Sequence, residues 1–168
     1  MTVFPVSLIG LGATIFGVIL SAVALYLMVR NRRQKAISCE LIHTRLIATT
    51  DQELPEDTVV TYKGEQVDRL TRTQIFVWNS GNVTVERDDI TERDPIAFDF
   101  GNIHVLSAFA QRTSRDVISG EVGRAASKVY LSFDFLDPGD GVVIEVLHTG
   151  DRTSPRIAGT IKGAPKGM

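Results

Sequence analysis

Three histidines are the side chains of this sequence best suited to proton transfer or metal binding near neutral pH. They are His43, His104 and His148. Imidazole acts as a general base, a proton shuttle and a zinc ligand. The spacing of the three residues matches no zinc motif, so we predict no metal site and no cofactor. His148 follows a strongly predicted strand and is a weak site candidate; the alternative is that its ring bonds a backbone carbonyl at the strand end.

The nucleophile candidates are few. Cys39 is the only cysteine and stands four residues before His43. On a strand both side chains would share one face about 13 Å apart, too far for a thiolate–imidazole pair. Nucleophile-elbow, zinc-protease, phosphate-loop and paired-cysteine motifs are all absent from the sequence. The sequence therefore gives no catalytic residue, and an enzyme is the less favoured interpretation.

Carboxylates form two clusters that are further candidates for catalysis or metal binding. The first is Asp88, Asp89, Glu92 and Asp94, and the second is Asp134, Asp137 and Asp140. Close carboxylates perform acid–base catalysis or bind calcium. The second cluster lacks the spacing of a calcium loop, and aspartates at turns commonly bond their own backbone. Solvated loops and turn caps are the preferred interpretation.

An uncharged apolar run precedes all of these residues. It covers residues 6–29, which is 24 residues, or about 36 Å as a helix, enough to cross a hydrocarbon core of about 30 Å. The sequence thus predicts a transmembrane helix over residues 6–29 after a short extracytoplasmic leader, residues 1–5. A cleavable signal peptide is the alternative, but the run is long, has no basic residue before it and no small-x-small cleavage site.

Four cations follow the run within a basic segment at residues 30–36. They are Arg30, Arg32, Arg33 and Lys35. By the positive-inside rule they predict an external N-terminus and a cytoplasmic remainder. We therefore assign these four residues to membrane topology and headgroup contact, with the lipid bilayer as a partner.

Small residues recur along one face of the predicted helix. They are Gly10, Ala13, Gly17, Ser21 and Ala24, spaced three or four apart. Such a face lets a second helix approach closely, so we predict self-association or a partner helix. The alternative is that small residues are simply common in membrane spans.

The remaining chain is acidic. Residues 36–168 contain 14 basic and 20 acidic side chains, a formal charge of −6. Because such a domain is repelled by phosphate backbones, nucleic acid is not a predicted partner. The single cysteine excludes an intrachain disulfide and fits a reducing compartment.

Short segments of period-2 alternation between turn residues indicate an all-β domain. Residues 37–162 are predicted to form an antiparallel β-sandwich of Ig-like architecture with about seven to nine strands, and residues 163–168 a disordered tail. Two hairpins are predicted. One joins residues 96–100 to 103–109 at Gly101-Asn102, and the other joins residues 129–135 to 142–147 across Asp137–Gly141.

Several strings of residues carry a resemblance across nearly the whole chain. They are Val77-Trp78-Asn79-Ser80-Gly81-Asn82, Asp89-Ile90, Asp94-Pro95-Ile96, Leu131-Ser132-Phe133-Asp134-Phe135-Leu136-Asp137-Pro138-Gly139-Asp140-Gly141 and Val146-Leu147-His148-Thr149-Gly150. With the N-terminal run, the chain resembles uncharacterised bacterial single-pass membrane proteins with a C-terminal β-sandwich domain. The resemblance implies a bacterial inner-membrane protein and no known activity.

Two functions follow from these predictions. The first is a membrane-tethered interaction or scaffold module at the inner face of the cytoplasmic membrane, with an unknown protein partner. The second is a small-ligand sensor or enzyme whose site is assembled only in three dimensions. An exposed apolar patch or open edge strand would favour the first, and a polar-lined cavity the second.

Overall fold

The computed structural model describes residues 6–30, 32–48 and 59–164. The chain divides into two compact units, residues 1–33 and residues 34–168. The predicted leader at residues 1–5 and residues 165–168 of the predicted tail lie outside the described residues.

A helix, α1 (Val6–Arg30), forms where the uncharged run predicts one. Its described side chains are those of residues 14–28, a stretch of about 22 Å against a hydrocarbon core of about 30 Å. Within the described part of the chain, no helix is long and apolar enough to cross a membrane. The prediction of a transmembrane helix over residues 6–29 is therefore wrong, because the described helical side chains cover less than the thickness of a hydrocarbon core.

The rest of the chain is mostly β-sheet, with twelve strands in the described ranges. The strands are β1 (Ile37–Ala48), β2 (Thr61–Tyr62), β3 (Glu65–Gln66), β4 (Arg69–Asn79), β5 (Val85–Glu86), β6 (Ala97–Asp99), β7 (Val105–Thr113), β8 (Gly120–Ala125), β9 (Lys128–Phe133), β10 (Phe135–Leu136), β11 (Gly141–His148) and β12 (Arg156–Ala158). The predicted count of seven to nine is too low, because four strands have only two residues and show no periodicity.

Two four-stranded antiparallel sheets make up most of the second unit. The first has the order β1-β4-β11-β7 and the second the order β12-β6-β9-β8. Neither predicted hairpin forms: β6 pairs with β9 and β12, whereas β7 pairs with β11. Likewise β9 and β11 belong to different sheets, so the loop at Asp137–Gly141 connects the sheets instead of closing a hairpin.

Buried side chains from both sheets form one hydrophobic cluster. β4 and β11 bury alternate residues, as does β9 from the second sheet, and β6 adds buried Phe98. The largest fully buried apolar side chains include Phe98 and Phe133, and complete burial of such a side chain contributes about 1.5–3 kcal/mol. The shared cluster therefore couples the two sheets energetically.

Candidate functional site

A chain of hydrogen bonds joins His43, Thr73 and His148 on the buried side of the first sheet. His43 lies opposite Thr73 in the pairing of β1 with β4. The Thr73 hydroxyl oxygen is 2.8 Å from Nδ1 of His43 and 2.7 Å from Nε2 of His148. Two histidines 105 positions apart in the sequence thus share one hydroxyl group.

The backbone fixes the direction of this chain. The Gly150 N–H donates to Nδ1 of His148 at 3.1 Å, so Nδ1 is unprotonated and Nε2 carries the ring proton. Nε2–H then donates to the Thr73 oxygen, and the same hydroxyl group bonds Nδ1 of His43. Sequence reasoning expected a backbone carbonyl as the partner of His148; the structure provides a backbone N–H.

Both imidazoles are held in their neutral forms. Burial, together with the nearby charge of His43, lowers the pKa of His148 to about 4. Burial and the charge of Arg152 lower the pKa of His43. The Phe100 ring, whose centroid is 5.0 Å from that of His148, contributes to the apolar surroundings. Neutral rings are what the fixed order of donors and acceptors requires.

This arrangement is poorly suited to catalysis. Thr73 and His148 have no exposed surface, and neither lines any of the three best-defined grooves. A nucleophile must reach substrate, so the hydroxyl group of Thr73 serves as an internal bridge. His104 is exposed and does not belong to the hydrogen-bonded group of His43, Thr73 and His148. Its carbonyl oxygen accepts a hydrogen bond from the Thr149 N–H.

The other candidate metal ligands and the Cys39 thiol form no common site within the described residues. No group of three or more His, Cys, Asp or Glu side chains that could hold a metal ion occurs within residues 6–30, 32–48 and 59–164. Cys39 is partly buried and packs against the hydrophobic cluster. Burial raises the pKa of the Cys39 thiol, which disfavours the reactive thiolate.

The second carboxylate cluster braces a loop. Asp140 is 8% exposed and accepts hydrogen bonds from Ser114, from the Arg115 guanidinium and from the Asp137 backbone N–H. Burial alone would raise the pKa of Asp140, but these bonds hold it below its usual value. The Asp137 carboxylate bonds Thr84 at 2.6 Å and Arg115 at 2.7 Å.

The first cluster likewise binds other parts of the fold. Asp89 pairs with Lys35 at 2.5 Å and accepts the Glu86 N–H, while Asp94 accepts the Thr160 hydroxyl at 2.6 Å. Lys35, predicted as a topology cation, therefore has a partner in the β-rich unit. Arg32 and Arg33 are exposed, and the Arg30 side chain lies outside the described side chains.

The predicted helix-contact residues have described side chains only in part. Gly17 has no atom within 4 Å of the position a Cβ would take. The Ser21 hydroxyl donates to the Gly17 carbonyl oxygen at 2.8 Å. Ala24 is exposed, whereas the surroundings of Gly10 and Ala13 lie outside the described side chains. Described neighbours such as Phe16 and Leu20 are also exposed, so the helix presents apolar side chains between residues 14 and 28.

The opposite side of the first sheet, here called the outer face, carries exposed apolar side chains among polar ones. Register places Ile42, Gln74, Glu145 and Phe109 in one row across its four strands. Ile42 and Phe109 are each 46% exposed. Phe76 and Val143 in the neighbouring row, and Trp78 two positions further along β4, are further part-exposed side chains of this face.

A shallow groove of about 390 Å³, here called the aromatic groove, occupies one end of the outer face. Phe76, Trp78 and Val143 line it, with Arg112 and the Gly139–Gly141 loop among its other residues. A larger groove of about 690 Å³ lies elsewhere, lined by charged side chains that include Arg87, Glu92 and Lys162. By register, the aromatic groove adjoins the row that contains Ile42 and Phe109.

Sequence reasoning missed Thr73, Arg112 and the outer face. A threonine inside a strand carries no signal of its partners, because the strand order decides which histidines approach it. Arg112 was missed because a β-bulge changes the side of the sheet on which it lies.

Comparison with known proteins gives no relative: no protein-family model, no curated protein and no solved structure matches the chain.

Proposed function

We propose that the β-rich unit is a β-sandwich interaction module that binds a protein partner through the outer face of its first sheet. The observation that carries the proposal is the exposure of Ile42 and Phe109 beside part-exposed Phe76, Trp78 and Val143. Soluble surfaces rarely leave apolar side chains contiguous unless they bind something. Aromatic side chains are enriched at the centres of such interfaces.

A sensor or enzyme has less support. The two histidines that share a hydrogen-bond partner, His43 and His148, are joined through a buried hydroxyl and line none of the three grooves described above. The larger groove has charged walls that include both signs, with Arg87 and Arg93 beside Asp88 and Glu92. It contains no histidine, cysteine or tyrosine among its lining residues.

Affinity purification of the full chain with an outer-face variant tests the interaction module. The double variant Ile42→Thr and Phe109→Thr keeps β-branched residues in β1 and β7 but removes the exposed apolar groups. We expect it to lose the partners that the unmodified chain retains. Tyr130→Thr is the matched control, because Tyr130 lies between buried Val129 and Leu131 on the other side of β9. Identical partner sets for all three chains would contradict the proposal.

The predicted helix contact is a second, separate part of the proposal. The open space beside Gly17 and the exposed apolar side chains around it support docking of another helix. Cross-linking of the full chain in detergent should give dimers that Gly17→Ile removes and Phe16→Ile retains. Equal dimer yields for both variants would overturn the helix contact without affecting the outer face.

The location of the β-rich unit at the cytoplasmic side of a bacterial inner membrane stays a prediction. Its support is the single cysteine, which fits a reducing compartment, and the cationic segment at residues 30–36, which an anionic membrane surface attracts. A reporter that is active only in the periplasm, fused after Met168, should be inactive. Activity of that reporter would contradict the prediction.

A further inference from the structure

A β-bulge in β7 decides what the aromatic groove contains. Val143 pairs with Arg112 and Ile144 with Ala110, so Gln111 has no partner in β11. In regular alternation, Gln111 and Arg112 would point to opposite sides of the sheet. An extra residue in one strand re-aims a side chain. Here both side chains lie on the outer face.

The contacts of the two side chains confirm this placement. Gln111 bonds Gln74 at 2.8 Å and Glu145 at 3.2 Å, and both of these residues belong to the outer face. Arg112 lines the aromatic groove with Phe76 and Val143. The bulge therefore brings one guanidinium group to the edge of an apolar groove.

The charge of Arg112 is not neutralised within the described residues. No hydrogen bond or ion pair joins Arg112 to any side chain or backbone group there, whereas Arg115 nearby bonds two aspartates. A guanidinium presents a planar fork of donors that matches a carboxylate in two parallel bonds. Beside an apolar floor, this geometry favours an occupant that carries a carboxylate next to an apolar side chain.

We propose that the aromatic groove binds the free C-terminus of a partner protein, with its last apolar side chain on Phe76, Trp78 and Val143 and its carboxylate on Arg112. The volume of about 390 Å³ lies near the lower end of the range of about 300–1,000 Å³ for ligand pockets. Exposed Phe109 and Ile42 lie beyond the groove, so an occupant that covers them must be a chain rather than a small molecule. This inference rests on the proposed interaction module and names its partner class.

Trp78 is the only tryptophan of the chain, so its fluorescence reports on the groove directly. The probes are the peptide acetyl-Ala-Leu-Phe with a free carboxylate and the same peptide with a C-terminal amide. Titration into the full chain should shift Trp78 emission, with about tenfold tighter binding of the acid than of the amide. Arg112→Gln should reduce binding of the acid to the level of the amide.

The control variants separate charge from fold. Arg93→Gln removes the same charge at an exposed position that does not line the aromatic groove, and it should leave the preference for the acid unchanged. Arg112→Lys keeps a cation and should retain a preference for the acid, which also covers the case in which Arg112→Gln does not fold.

Three results would overturn the inference. They are equal affinity of acid and amide, an unchanged acid preference in Arg112→Gln, and no shift of Trp78 emission with either peptide. The first two, obtained while the Ile42 and Phe109 double variant still loses its partners, would leave the interaction module standing. If the Ile42 and Phe109 double variant keeps its partners while the preference for the acid persists, the interaction module alone is contradicted.

Discussion

At the scale of the residue, the most constrained group of this protein is the buried pair of histidines joined through Thr73. Each hydrogen bond in the chain depends on the tautomer set by the Gly150 N–H. A buried donor or acceptor left without a partner costs about 1–3 kcal/mol, so these three side chains act as a unit. Their contribution is to stability, and it depends on pH.

His148 should make the β-rich unit less stable in acid. Its pKa is about 4 in the folded protein but near the usual value of about 6.5 in the unfolded chain. Between these pH values the unfolded chain binds more protons, so stability rises with pH across this window and is constant above it. The free energy of unfolding should fall by about 3 kcal/mol between pH 6.5 and pH 4.

Urea denaturation at a series of pH values measures this loss. His148→Gln keeps an N–H donor within reach of Thr73 but does not titrate, so its curve should be flatter over the same window. A wild-type stability that does not change between pH 6.5 and pH 4.5 would exclude the neutral, buried state of His148.

Thr73→Val should destabilise the unit by about 2 kcal/mol. Valine has nearly the shape of threonine, but it leaves Nε2–H of His148 and Nδ1 of His43 without their shared partner. Thr73→Ser keeps the hydroxyl and should lose only the contribution of a methyl group, about 1 kcal/mol. Equal stability of the valine variant and the wild type in urea would show that the hydroxyl bridge contributes nothing.

At the scale of the element, turns and bulges determine which residues lie side by side more than the strand propensity of each segment does. The segment at residues 34–36 extends the pairing of β1 with the turn after β4, through bonds from the Ser80, Gly81 and Asn82 N–H groups. Gly81 is required there by close approach of two backbones. In the same way, the bulge in β7 sets which residues share the outer face, although the pairing of its neighbour β11 with β4 is regular.

Gly81→Ala should therefore cost about 2 kcal/mol. Its Cβ would lie 2.3 Å from the Gln34 carbonyl oxygen and 2.8 Å from the Ala36 nitrogen, and backbone atoms cannot move aside as a flexible side chain does. Gly123→Ala is the control, since the nearest atom to its added Cβ is 3.9 Å away. Thermal unfolding of both variants checks this prediction, and equal melting temperatures would contradict it.

At the scale of the whole molecule, the stability of residues 34–168 depends on one hydrophobic core to which both sheets contribute side chains. Phe98 and Phe133 in the second sheet, and Ile75 and Ile144 in the first, are fully buried in the same cluster. Removal of a side chain from one sheet should therefore be felt in the other. The helical unit at residues 1–33 is a separate compact unit.

Phe133→Ala should lower the free energy of unfolding by about 3–5 kcal/mol. Because the cluster is shared, amide hydrogen exchange should accelerate in β4 and β11 as well as in β9. Tyr130→Ala, on the outward side of the same strand, should have a much smaller effect. Acceleration confined to the second sheet would show that the two sheets unfold independently.

Much of the local structure was predictable from the sequence. Alternation in Val129–Phe135 predicts β9 within two residues, because period-2 burial is a property of one strand. Pairing was not predictable, since alternation fixes which side of a strand is buried and not which strand lies beside it. This is why Gly101-Asn102 forms a turn whose flanking strands belong to different sheets.

The sequence by itself determined a chain with an apolar N-terminal helix, an acidic β-rich remainder and no catalytic motif. Composition and short-range periodicity are sufficient for these statements, because each depends on neighbouring residues only. The tertiary structure decided that His43 and His148 share the Thr73 hydroxyl, and that Arg112 lies at an aromatic groove. Those outcomes depend on strand order and on one inserted residue in β7, which bring together positions that are distant along the chain.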